Sequence, residues 1–207
     1  MLSRTPDSPR LGYVLAHGAG AGMRHPFLEN ISQALFERGV ATLRFEFPYM
    51  EQHKNRTDSP AVCAATIRKA VQQAHTEWPG LPLIAGGKSF GGRMTSTAQS
   101  EQPLEGVRGL AFLGFPLHAP GKPSVTRAEH LDQVKIPMLF LQGSRDEFAH
   151  LELLTGVCER LGTRATLQVI EGGDHSFKVP KKVQSAEAVM AALADSIAQW
   201  GLPLAAE

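Results

Sequence analysis

Short apolar runs alternate along this chain with stretches whose apolar residues recur every three or four positions. Gly12–Ala16, Val40–Phe47, Leu81–Ala85, Val107–Phe115, Met138–Gln142 and Ala165–Ile170 are runs of strand length, most of them apolar throughout. Such runs predict strands buried on both faces of a sheet. Between them lie helical patterns. Residues 27–38 place Leu28, Ile31, Leu35 and Phe36 on one face, with Gly39 as the expected end. Pro60–Trp78 follows Ser59, a serine N-cap with proline in the first helical position. Phe90–Ser100, Leu151–Leu161 and Ala186–Trp200 complete the set. Strands alternating with helices predict an α/β fold. It is a doubly wound, mostly parallel sheet of about six strands with helices on both faces. The whole chain, 1–207, reads as a single domain. Leu117–Pro137 lacks clear periodicity and is proline-rich, and it predicts an ordered excursion over the sheet edge, at most a small lid. A large cap is not expected.

Composition narrows the possibilities. The chain has 207 residues and a formal net charge of +1. Area scaling for its mass predicts roughly 9,400 Å² of accessible surface when folded, with about 70% of the unfolded surface buried. That is enough core to fold without disulfides or a structural metal. Near-zero net charge leaves no broad electrostatic footprint for nucleic acid or an anionic membrane. Two cysteines, Cys63 and Cys158, stand in helical stretches with no C-x-x-C pair, and predict partly buried free thiols. The N-terminus has no apolar signal-peptide core, and no run of about 18 apolar residues occurs. The expectation is a cytoplasmic protein acting on a small molecule, with no nucleic-acid or membrane partner.

In an open α/β sheet, ligands bind beyond the carboxyl ends of the strands. Three segments at those positions carry chemistry. Gly87-Lys88-Ser89-Phe90-Gly91 is a G-x-S-x-G between a predicted strand and a predicted helix. A sharp strand-to-helix turn holds its serine in a strained conformation and leaves no room for side chains two positions away on either side. A nucleophilic serine needs a base and an acid that orients it. Asp146 follows one later strand and His175 follows the last, in the order Ser, Asp, His, with room for sheet-and-helix units between them. Asp174 and Glu171 are rivals to Asp146. Asp174 adjoins the histidine too closely in sequence, and Glu171 should point into the sheet. Backbone N–H groups of Phe90 and Ala19 are the expected oxyanion donors, Ala19 because glycines flank it in His17-Gly18-Ala19-Gly20.

Competing motifs fail on the residues. A phosphate-binding P-loop ending at Gly87-Lys88-Ser89 would need glycine where Pro82 stands, and the run Gly18–Gly22 meets Met23 or His25 where a dinucleotide fingerprint needs glycine. No cofactor is expected. No metal is expected either, since no histidine pair has ligand spacing. His17 reads as a structural histidine holding the oxyanion turn. Lys88 could steer an anionic substrate or pair with Glu46, but a solvated or structurally paired lysine is preferred. Arg44, Tyr49, Arg93, His118 and His150 are pocket or packing residues.

The chain resembles the α/β-hydrolase superfamily over nearly its whole length. It is most similar to the small dienelactone-hydrolase-like group of bacterial hydrolases, related to the testis-expressed-protein-type domain. His17–Gly20, Arg44–Tyr49, Gly86–Arg93, Phe115–His118 and Asp174–Phe177 carry the likeness. It implies a serine nucleophile at Ser89, where dienelactone hydrolases proper have cysteine. It also implies that the chain begins at the family's third strand, without the usual first hairpin. The expected activity is hydrolysis of an ester or similar small acyl compound. A non-catalytic scaffold and an acyltransferase are the alternatives.

Overall fold

The computed structural model describes residues 1–180 and 182–205. Its strands are β1 (Leu2–Arg4), β2 (Leu11–Ala16), β3 (Val40–Phe45), β4 (Leu83–Lys88), β5 (Val107–Leu113), β6 (Met138–Gly143) and β7 (Ala165–Ile170). They form one sheet in the order β1-β3-β2-β4-β5-β6-β7, with every pairing parallel except β1 against β3. The sheet therefore has seven strands where about six were expected. The addition, β1, is three residues long and too short for any period to register; Leu2 pairs with Arg44 at the sheet edge.

Successive side chains on a strand point to opposite faces, and here both faces are covered. Leu11, Tyr13 and Leu15 of β2 pack with α1 (Pro26–Phe36) and α6 (Ala186–Leu204). Val14 and Ala16 face the other layer. That layer holds α3 (Pro60–Glu77), α4 (Phe90–Glu101) and α5 (Leu151–Leu161), with a one-turn helix, α2 (Pro48–Glu51), ahead of α3. Double burial is why the central strands read as unbroken apolar runs rather than alternating ones. Ser59 caps α3 as expected, its hydroxyl accepting from the Val62 N–H, with Pro60 in the first turn. Helix α1 ends at Phe36, two residues short of the expected end, and Gly39 takes φ +74° in the turn before β3.

Residues 117–137 are anchored to the core by a few side chains, the rest being exposed or half-buried. Leu117, Ala128, Leu131 and Val134 are fully buried in the cluster that includes α4 and α5, and Thr126–Gln133 winds as a 3₁₀ helix. Total accessible surface is 9623 Å², near the value that mass alone predicts. Both cysteines are buried free thiols, and burial pushes each up to about 11. No helix among the described residues is long and apolar enough to cross a membrane.

Candidate active site

β4 runs three residues past its expected end, through Gly86 and Gly87 to Lys88, and delivers Ser89 to the turn before α4. Ser89 has φ +49° and ψ −117°, a conformation costing about 1–3 kcal/mol for a residue with a side chain. The flanking glycines make the turn possible. A Cβ on Gly87 would lie 2.2 Å from the Ala16 carbonyl oxygen, and one on Gly91 would lie 2.4 Å from that of His17. Ser89 stands at the N-cap position of α4, yet its hydroxyl makes no capping bond. It donates instead to His175 Nε2 at 2.8 Å.

His175 Nδ1 donates to Asp146 Oδ2 at 2.7 Å, which leaves Nε2 as the acceptor for Ser89. Asp146 is buried and has two further donors: Gln142 Nε2 to Oδ2 at 2.5 Å and the Phe148 N–H to Oδ1 at 2.8 Å. The turns carrying Asp146 and His175 are pinned together. Arg145 N–H donates to Gly173 O, Arg145 Nε to Gly172 O, and Gly172 N–H to Ser144 Oγ, each at 2.8 Å. The rival acids lie elsewhere. Asp174 Oδ1 accepts from the N–H groups of Ser176 and Lys178 within its own turn. Glu171 does not point into the sheet: β7 ends at Ile170, and the exposed Glu171 accepts from Ser144 Oγ.

The loop Gly18–Gly20 lies beside Ser89, a Cβ on Gly18 being 3.8 Å from the Ser89 Cβ. His17 is fully buried beneath it. Its Nδ1 donates to Gly18 O at 2.8 Å, and its Nε2 accepts from the Phe47 N–H at 3.1 Å. Burial lowers the pKa of this imidazole. Glu46 Oε1 lies 3.4 Å from Nε2, but the Phe47 N–H already occupies that nitrogen. The segment after β3 holds the rest of the loop. Tyr49 OH accepts from the Gly20 N–H, Glu46 Oε2 from the Met23 N–H, and Arg44 donates to Met23 O and to Glu29. Phe90 opens α4, so its N–H has no partner within the helix. Ala19 is exposed on the wall of a cleft of about 520 Å³ that opens on Ser89 and His175. Phe27, Leu28, Phe148 and Met190 form its apolar side, and residues 117–137 contribute nothing to it.

Lys88 is half-buried on the cleft wall and structurally paired, though not with Glu46: its Nζ donates to the His175 carbonyl oxygen at 2.6 Å. His118 and His150 meet edge to face at 4.7 Å, with His118 Nε2 accepting from the His150 N–H. Arg93 lies over the Phe90 ring. Two site residues went unread in the sequence. Gln142 is a polar side chain inside an apolar strand, and that misfit is the one local signal it offers. Phe148, whose ring is 4.3 Å from that of His175, offers none. Among the described residues no group of three or more histidines, cysteines or carboxylates is placed to hold a metal ion.

Residues 9–201 match the model of the alpha/beta hydrolase domain. The chain belongs to that family. Known structures superpose on this alpha/beta hydrolase closely. A dienelactone hydrolase from Anabaena variabilis gives a TM-score of 0.75 at 21% identity, covering 97% of this chain and 89% of its own. An alpha-beta serine hydrolase homologue from Coxiella burnetii gives 0.74 at 18% identity, over 96% and 89%. At such identities the likeness shows the fold alone. A Mycobacterium tuberculosis protein named "Putative phosphoribosyl transferase" is 27% identical over 179 residues. That match takes in 84% of this chain but 38% of the relative, so the chain spans under two fifths of the length of the curated protein it matches.

Proposed function

We propose that this alpha/beta hydrolase is a serine hydrolase that cleaves an ester or similar small acyl compound. The observation that carries the reading is the continuous chain Ser89 Oγ, His175 Nε2, His175 Nδ1, Asp146 Oδ2, with links of 2.8 and 2.7 Å, on the wall of a cleft. His175 Nε2 takes the Ser89 proton as Oγ attacks the acyl carbon. The carbonyl electron pair moves onto oxygen, which the N–H groups of Ala19 and Phe90 receive. One such donor is worth about 3 kcal/mol in the transition state. The imidazolium then gives its proton to the leaving alkoxide, and the acyl group stays on Ser89. Water, deprotonated by His175, releases it. Asp146 holds the tautomer and the orientation of the ring throughout.

The names of the solved relatives, a serine hydrolase homologue and a dienelactone hydrolase, favour acyl chemistry. The phosphoribosyl transferase name belongs to a protein of which the matched stretch is 38%. A fluorophosphonate probe tests the proposal, because it forms a stable adduct with an activated serine. Wild type should label and Ser89→Ala should not. Equal labelling of the two would refute Ser89 as nucleophile.

A further inference from the structure

One charged group at the site has no part in that mechanism. Lys88 ends β4 immediately before Ser89, and its side chain folds beneath the histidine. The ammonium donates to the His175 carbonyl oxygen at 2.6 Å and lies 5.6 Å from the centre of the Phe177 ring. Phe177, at φ +60°, is held in a left-handed conformation two residues past His175. The floor of this space is Gly114, with φ +72°. A Cβ there would lie 3.1 Å from Lys88 Nζ and 3.5 Å from both Nδ1 and the carbonyl oxygen of His175. Ammonium and imidazole therefore share one wall, on the side of the ring that meets Asp146. No carboxylate of the described residues is within ion-pairing distance of Lys88.

The groups facing this ammonium divide by element. Asp146 and Asp174 attract it. Gly114 and Gly18 carry no charge. Arg145 and Glu147 line the open side of the His175 ring, and His25 and Lys178 stand across the cleft. Burial lowers Lys88 from 10.5 to about 8 against the pull of the two aspartates. An ammonium kept in such a place costs stability that an apolar side chain of similar length would not.

We infer that Lys88 is a positioning residue of the reaction: its ammonium fixes the His175 backbone and offsets the buried Asp146 carboxylate while negative charge grows on the substrate oxygen. The inference rests on Ser89 as nucleophile. Without Lys88, the oxyanion and the imidazolium form together beside an uncompensated aspartate, so the site holds a net negative charge while the oxyanion grows. With Lys88 the resting site is near neutral, and the new charge forms against a balanced background.

The test is the rate of fluorophosphonate labelling between pH 6 and about 10 for wild type, Lys88→Met and Lys88→Arg, with melting temperatures in the same buffers. Wild type should slow as pH rises through about 8, because the ammonium loses its proton there. Lys88→Met should label roughly 10- to 100-fold more slowly, without a fall near pH 8, while melting no lower than wild type below that pH. Lys88→Arg should lose the fall near pH 8 whatever its absolute rate, since guanidinium stays charged. Because the folded value lies below 10.5, wild type binds fewer protons folded than unfolded above pH 8. It should gain stability relative to Lys88→Met as pH rises from about 8. A Lys88→Met protein that labels at the wild-type rate, or keeps the alkaline fall, overturns the inference. So does a slow Lys88→Met protein that also melts lower, which marks a structural lysine. If Lys88→Met does not fold, an unchanged fall near pH 8 in Lys88→Arg overturns it alone. A wild type that never labels sinks the Ser89 reading itself, which separates the two failures.

Discussion

Gln142 joins two parts of the site through one side chain. Its Nε2 donates to Asp146 Oδ2, and its Oε1 accepts from the Phe115 N–H at 2.9 Å. Gln142→Leu would leave that buried N–H unpaired and remove one donor from the aspartate. The expected cost is about 1–3 kcal/mol of stability and a fall of roughly 10-fold in the rate of fluorophosphonate labelling, the former measured by chemical denaturation. Gln142 was hidden in the sequence because a hydrogen bond from a strand interior to the following turn leaves no periodic trace. Ser89 was legible because its turn demands glycines at fixed offsets. Asp146 and His175 were legible because each lies in the turn that follows a strand. Glu171 was misplaced for a related reason: the strand ended one residue earlier than its side-chain direction required, and the glutamate left the sheet for a surface turn.

At the level of elements, the sharp turn at Ser89, the elbow between β4 and α4, depends on how closely α4 approaches β2. A methyl group on Gly91 would sit 2.4 Å from His17 O and 2.7 Å from the Ala16 Cβ, both on neighbouring chain and neither able to retreat cheaply. Gly91→Ala should cost about 3 kcal/mol and lower the melting temperature by about 6–12 °C, with labelling lost in proportion as Ser89 is displaced. Periodicity located β2, β5, β6 and β7 and all the long helices closely, since each buries a face along most of its length. It stopped β4 early, because Gly86-Gly87-Lys88 has no apolar signal although the backbone remains extended. It passed over β1 and α2, which have three and four residues. Elements that short are made by their neighbours: β1 by the free edge of β3, α2 by Phe47 and Pro48 at the end of the loop-holding segment.

Over the whole molecule, the cleft lies where α1 and α6 approach the carboxyl ends of the strands. Phe27 of α1 stacks on Phe177 at 5.8 Å and 14°, and closes one end of the cleft. Beyond this pair lies a second apolar space of about 640 Å³ lined by Phe177, Val179 and Val189, with Phe27, Ser176, Lys178 and Met190 shared between the two. Phe27→Ala should join them. In a panel of chromogenic esters, wild type should favour short acyl chains. The variant should raise octanoyl over butanoyl turnover by roughly 10-fold, and an unchanged ratio would place the acyl chain elsewhere. Residues 117–137 show the same dependence on the assembled fold. Their prolines hid an amphipathic pattern, and only packing against α4 and α5 turns Leu117, Ala128, Leu131 and Val134 inward. Alternating strands and helices, the elbow and the order of serine, aspartate and histidine were set by residue order, because all three are local rules repeated along the chain. The Gln142 bond, the bed of Lys88 under His175 and the length of the cleft were set by the folded chain. Each is a meeting of segments that only crossover packing brings together, and burial then decides which charge and which void remain.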